Sequence, residues 1–147
     1  MKNYIRDASF YKERPIVLLS NSSWYLNHYR KNLIEEIVKK EMKPILMAPY
    51  DNFSSELSSK AIYIPWRISR SKNFNLIVLL IAFFRLFFLI RAIKPGIIHS
   101  HTIKPNILSS LVSSFFGIPL VISFAGLGRL SRIDGRKKSL LKFIFNF

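Results

Sequence analysis

The sequence predicts an α/β domain: a parallel β-sheet covered by helices on both faces. Three observations carry this. Short, β-rich apolar runs bounded by Pro, Gly, Asn or Asp recur along the chain. Between them lie segments whose apolar residues fall at helical spacing. All but one of the connections are long enough for the crossover helix that parallel neighbours require. A Rossmann-like layer of this kind binds ligands outside the carboxyl ends of its strands, so functional residues are sought at that edge.

The first strand is "PIVLLSN", Pro15–Asn21, set behind a proline. A helix follows from about Leu26 to Met42, with Leu26, Tyr29, Leu33, Ile34, Ile37 and Val38 on one stripe. Glu35–Lys39 and Glu36–Lys40 form i,i+4 pairs on its wet side. Pro44 disfavours helix for the residue before it and opens the second strand, "PILMAPYD". The serine-rich "NFSSELSSK" leads to the third strand, "AIYIP", and is so short that its helix is a single turn or missing. A long apolar helix spans about Asn73 to Lys94, and "GIIHSH" is the fourth strand. Pro105 opens the next helix as a first-turn proline, and Gly117 closes it before the fifth strand, "IPLVISFAG".

The long apolar helix has two readings. It is nearly long enough to span a bilayer. Arg85 would then lie near the middle of the hydrocarbon, at a cost of several kcal/mol. A helix packed on the sheet or lying on a membrane surface avoids that cost, and Phe83, Phe84, Phe87 and Phe88 beside arginines suit an interface.

Composition excludes several classes. Half of the 147 residues are hydrophobic, which argues against disorder. The absence of cysteine rules out disulfides and cysteine-ligated zinc. The formal net charge is +15, and no Asp or Glu occurs from Leu57 to Ile133. That stretch suits anionic partners such as phosphates or lipid headgroups. It also denies the second half a pair of carboxylates for acid–base work, since only Asp134 is available there. Nucleic acid is not expected as a partner, because no recognition helix and no loop array of stacking aromatics among basic residues is seen. The start, "MKNYIRDASFYKERP", has no apolar core of signal-peptide length, so a cytoplasmic location is expected. The expected layout is an extension over residues 1–14, a domain over 15–135, and the start of a truncated helix over 136–147.

Chemistry is expected at three strand exits. After the first strand come Asn21, Trp24 and His28. Trp24 suits either stacking on a sugar or a lid over the helix start. His28 lies opposite its helix's apolar stripe, facing either a cleft or plain solvent. After the fourth strand come His99, His101, Thr102 and Lys104. The two histidines share one strand face. His99 reads as a buried imidazole bonded to backbone, and His101 as the residue nearest the crevice. Lys104 and the helix start suit an anion. Gly126 and Gly128 follow the fifth strand and allow either close backbone approach or a tight turn. No metal site is expected, since a third ligand is missing beside His99 and His101.

The segment "IIHSHTIKPNILSSLVSSFFGIPLVISFAGLG" resembles the sheet centre of glycosyltransferase family 4, in particular bacterial enzymes that build surface polysaccharides on a lipid carrier. The shared features are His-x-His-Thr-x-Lys-Pro (His99, His101, Thr102, Lys104, Pro105), a helix, Gly117-Ile118-Pro119, a strand, and Gly126-Leu127-Gly128. "SSWYLNHYRKNLIEEIVKKEMKPILMAPYD" resembles the family's first loop and helix, with His28 and Arg30 in matching places. "IPWRISRSKNFN" resembles the basic stretch before their amphipathic helix, so the resemblance runs from about Pro15 to Arg132.

The resemblance implies the N-terminal, acceptor-side half of a two-domain GT-B fold. It implies retaining, metal-independent sugar transfer from a nucleotide-sugar to a lipid-linked or polysaccharide acceptor, with no cofactor. The donor would be bound by a C-terminal domain absent from this sequence, so the chain alone is expected to be inactive. The implied location is cytoplasmic and peripheral, on the inner face of the cell membrane, against anionic lipid. His101 is the candidate catalytic residue; Asn21, Trp24, His28, His99, Thr102, Lys104, Gly126 and Gly128 would bind the acceptor. The alternative is a non-catalytic acceptor-binding, membrane-docking subunit or a truncated gene fragment. The sequence departs from the family at three places. Gly96 stands where many members have Asp, Ala125 where several have a catalytic His, and "SNSSWYLN" where the first loop is often glycine-rich.

Overall fold

The structure, a computed structural model, describes residues 8–68 and 75–124. Its elements are α1 (Ala8–Glu13), β1 (Ile16–Leu19), α2 (Ser23–Tyr29), α3 (Lys31–Lys39), β2 (Pro44–Ala48), α4 (Ser54–Ser58), β3 (Ile62–Pro65), α5 (Leu76–Ile93), β4 (Ile97–His101), α6 (Ile103–Phe116) and β5 (Leu120–Ser123). The five strands form one sheet in the order β3-β2-β1-β4-β5, and every neighbouring pair is parallel. The expected Rossmann-like α/β layer is therefore present.

Strand alternation divides the core into two layers. Val17, Leu19, Met47 and Ile98 face α5 and α6, packing with Leu86, Ile90, Leu108 and Val112. Leu18 and Leu46 face the other way, onto Leu26, Ile34 and Leu57 of α2, α3 and α4. Chain order reverses direction across the sheet between β1 and β4, whose register pairs Leu18 with His99 and Leu19 with Ser100. The carboxyl ends of these two strands thus flank the switch point, where sheets of this kind hold their ligand crevice.

The expected helix over 26–42 is two helices. Arg30, at φ −126° and ψ 5°, ends α2 and begins α3. α2 also starts earlier than expected, at Ser23, because the Ser22 hydroxyl accepts the Tyr25 amide. The expected Glu35–Lys39 and Glu36–Lys40 pairs give way to Lys60–Glu35 at 2.9 Å and Lys39–Glu36 at 2.7 Å. Tertiary proximity decides the first of these and the closer turn the second. The short β2–β3 connection does hold a single turn, α4.

The 1–14 extension contains α1, which alternation and periodicity did not reveal. It packs against the start of β4. A Cβ on Gly96 would lie 3.2–3.3 Å from Phe10, Tyr11 and Arg14 side-chain atoms. The glycine that departs from the family pattern is therefore the residue that lets α1 dock. The expected helix start over 136–147 lies outside the described residues.

α5 is anchored on one narrow stripe. Ala82, Leu86 and Ile90 are buried at i, i+4, i+8 spacing, and the buried Trp66 indole donates to the Ala82 carbonyl at 3.0 Å. Leu79, Phe83, Phe87, Leu89 and Ile93 flank that stripe partly buried, and the outer face exposes Leu80, Ile81, Phe84 and Phe88 beside Arg85.

Candidate functional site at the β1–β4 switch point

Two strand exits meet at the crevice, and each feeds a helix start. After β1 the chain turns through Ser20–Ser22 into α2. The carboxylate of Asp51, from the exit of β2, closes that start. It accepts the Ser23 amide at 3.1 Å, the Trp24 amide at 3.3 Å and the Phe53 amide at 3.0 Å, and also the Ser23 hydroxyl. With the Tyr25 amide bonded to Ser22, the free donors of the first turn of α2 are all used. Ser54 supports the arrangement by donating to Ser23 and accepting the Asp51 amide at 2.8 Å.

The exit of β4 is built differently. Thr102 sits at φ 73° and ψ 158°, a region that suits glycine and strains a β-branched residue by roughly 1–3 kcal/mol. In that conformation its side chain caps nothing, and its buried hydroxyl has no partner. Pro105 removes one further donor from the first turn of α6. Buried side-chain atoms without a partner among the described residues are five, and four of them lie here: Ser100 Oγ, His101 Nε2, Thr102 Oγ1 and Asn106 Oδ1. Such atoms are rare in folded proteins and each calls for a partner.

His101 is the one of these residues expected to act in catalysis. It is fully buried, not lining an open cleft as the sequence suggested. The Nε–H of Arg30 donates to its Nδ1 at 3.3 Å, so the ring is the Nε2–H tautomer. Burial, then the neighbouring His99 and Arg30, push its pKa down to about 3, so it is neutral near pH 7. His99 is likewise lowered by burial and by Arg30, and its Nε2 pairs with the Ser123 hydroxyl at 2.8 Å. It is half-buried and bonds a side chain, where sequence had suggested backbone. The Asn106 amide donates to the Ser123 carbonyl at 3.2 Å, tying α6 to the exit of β5.

The remaining candidates divide. Trp24 and His28 are exposed and stack on each other with ring centroids 4.7 Å apart, and His28 Nδ1 lies 2.9 Å from the Trp24 carbonyl. Asn21 and Lys104 are half-buried at the two exits. Gly126, Gly128 and Ala125 lie outside the described residues. Among the described residues no group of three His, Cys, Asp or Glu is arranged to hold a metal.

Sequence reasoning gave no role to Arg30, Tyr25, Asp51 or Asn106. Arg30 donates to His101 Nδ1, to the Tyr25 hydroxyl at 3.1 Å and to the Tyr29 carbonyl at 3.0 Å. The ion pairs among the described residues all join lysines to glutamates, so Arg30 has no carboxylate there to neutralise it. A separate cavity of about 540 Å³, lined by Tyr11, Lys12, Met42 and Ile97 among others, lies at the opposite, amino-terminal edge of the strands.

Residues 15–147 match the family model described as glycosyl transferase 4-like. The chain belongs to that family. Among curated proteins, none matches the chain by sequence. Solved structures show the same fold. A glycosyltransferase from Rickettsia africae superposes with a TM-score of 0.61 at 17% identity, covering 74% of this chain and 29% of that one. MurG from Acinetobacter baumannii gives 0.61 at 12% identity, covering 82% and 39%. A UDP-N-acetylglucosamine 2-epimerase gives 0.58 at 18% identity, covering 78% and 34%. The chain thus spans about a third of the length of these structures. It is a glycosyltransferase-like domain of GT-B type.

Proposed function

We propose that this domain is the acceptor-side half of a glycosyltransferase that moves a sugar from a nucleotide-sugar to a lipid-linked or polysaccharide acceptor in surface-polysaccharide synthesis. The observation that carries this is the cluster of buried, partnerless polar atoms at the β4 exit, set at the switch point of a sheet of this family. The donor would be held by a second domain facing this edge. The transfer would retain anomeric configuration and need no metal or other cofactor. His101 would act as a neutral hydrogen-bond donor to the sugar or its diphosphate, through Nε2–H. With a pKa near 3, it is poorly suited to accept a proton near pH 7.

The outer face of α5 supports a membrane-borne acceptor. Leu80, Ile81, Phe84 and Phe88 are exposed beside Arg85, and Leu111 and Phe115 of α6 continue the apolar surface. An apolar face edged by arginine suits the interfacial zone of an anionic bilayer. Because Leu86 and Ile90 are committed to the sheet, α5 would lie on the membrane rather than cross it. The protein would then work on the cytoplasmic side, at the inner face of the cell membrane. The same face favours the second reading, a docking subunit without turnover of its own.

The test is transfer from labelled nucleotide-sugars to polyprenyl-linked acceptors by protein containing this chain and its donor domain. Wild type should form product with chelator present, with the anomeric configuration kept. His101→Asn should lower turnover at least about a hundredfold while remaining folded. Full turnover in His101→Asn would remove the assignment of this site. Vesicle binding without any transfer would favour the docking subunit.

A further inference from the structure

The two helix starts at the crevice differ in charge as well as in capping. At α2, the Asp51 carboxylate takes the Ser23 and Trp24 amides and the Ser22 hydroxyl takes the Tyr25 amide, so no donor of the first turn is left over. At β4, a guanidinium without a carboxylate partner among the described residues touches a neutral imidazole whose Nε2–H has no partner there. An anion at the first place meets negative charge and no donors. An anion at the second meets one positive charge, remaining guanidinium N–H groups, a buried imidazole N–H and an unused hydroxyl.

We propose that Asp51 closes the β1–α2 loop to anions and that Arg30, with His101 and Thr102, forms the phosphate subsite of the crevice. This rests on the glycosyltransferase reading and deepens it by naming Arg30 and Asp51 as the residues that sort the ligand. Asn21 and Trp24, beside the closed helix start, then meet the neutral, hydroxylated part of the ligand. The phosphate belongs either to the nucleotide-sugar or to the lipid-linked acceptor, and both carry the same diphosphate chemistry.

The geometry gives each residue its task. Arg30 stands at the α2–α3 break, where its backbone leaves the helix, and its side chain is held by Tyr25 and Tyr29. It is thereby pre-oriented, which lowers the entropic cost of gripping an anion. His101 cannot repel or compete, since its Nδ1 already accepts from Arg30. The Thr102 strain directs its hydroxyl away from capping, leaving it to a ligand.

The experiment is a titration of the chain with inorganic pyrophosphate, followed by amide and side-chain NMR shifts. Signals of Arg30, His101 and Thr102 should move, and those of Ser23 and Trp24 should not. Arg30→Gln should weaken binding about tenfold or more, with Arg30→Lys recovering part of it. Asp51→Asn, which keeps the shape and removes the charge, should add response at Ser23 and Trp24. Parallel arms with a nucleoside diphosphate and a short prenyl diphosphate identify the source by which binds more tightly than pyrophosphate. Wild-type shifts centred on Ser23 and Trp24, or no pyrophosphate binding at millimolar concentration, would overturn the proposal. So would unchanged affinity in folded Arg30→Gln. The glycosyltransferase reading is tested separately, since sugar transfer with full activity in Arg30→Gln would sink this subsite and leave that reading standing.

Discussion

The starts of α2 and α6 stand side by side at one edge of the same sheet, and only the first is finished. α2 is short, yet it has a serine cap and a carboxylate brought from the exit of the adjacent strand. α6 is twice as long, yet its cap residue is strained and bonds nothing through its side chain. A protein that needed only stability would have treated both alike. The difference teaches which start is closed by the fold and which is left open: unsatisfied polar atoms and backbone strain coincide at the start of α6, whereas in α2 the unpartnered buried atom, Asn27 Oδ1, lies beyond the first turn.

The comparison can be broken most forcefully at Asp51. Asp51→Ala removes one carboxylate that joins three amides and a hydroxyl across two loops, so stability should fall by roughly 2–4 kcal/mol in urea unfolding. A loss under 1 kcal/mol would mean the α2 start is not held as described.

Acid titration sharpens the other side. The folded pKa of His101 lies at about 3, far below that of an unfolded histidine. The unfolded chain therefore binds the extra proton first. The stability His101 contributes is present above about pH 6.5 and is lost as pH falls toward 3, at up to about 1.4 kcal/mol per pH unit. Melting curves of wild type and His101→Asn between pH 7 and pH 4 should diverge in slope, with the variant less acid-sensitive.

Smaller effects should have opposite signs at the two starts. Ser22→Ala should destabilise by about 1 kcal/mol through loss of the cap. Thr102→Gly should leave stability unchanged or raise it by about 0.5–1 kcal/mol, since glycine accepts that backbone conformation without strain. The same variant should weaken pyrophosphate binding, because the hydroxyl is gone. If Thr102→Gly instead destabilises by more than 1 kcal/mol, Thr102 serves the fold.

The order of strands and helices was legible because it rests on local patterns. Apolar runs at period two and stripes at helical spacing need no knowledge of distant residues, and they placed all five strands. The exit of β4 was legible too, because a polar tip on an apolar strand is a local feature. What sequence could not show is pairing over distance. Arg30 meets His101 across 71 positions, and Asp51 meets Ser23 across 28. No local pattern encodes either contact, so Asp51 read only as a residue at a strand exit and Arg30 only as a match to the family, neither with a partner or a role. For the same reason Gly96 looked like an unexplained departure until α1 was seen against it.

The central claim is that the carboxyl-end crevice between β1 and β4 is where the sugar-bearing ligand sits. A photoactivatable polyprenyl diphosphate-sugar analogue, crosslinked to protein containing this chain and mapped by mass spectrometry, tests it most directly. The account predicts adducts within residues 21–30 and 99–106, competed away by pyrophosphate. Adducts concentrated on Tyr11, Lys12 and Met42, at the cavity on the opposite edge of the sheet, would contradict it.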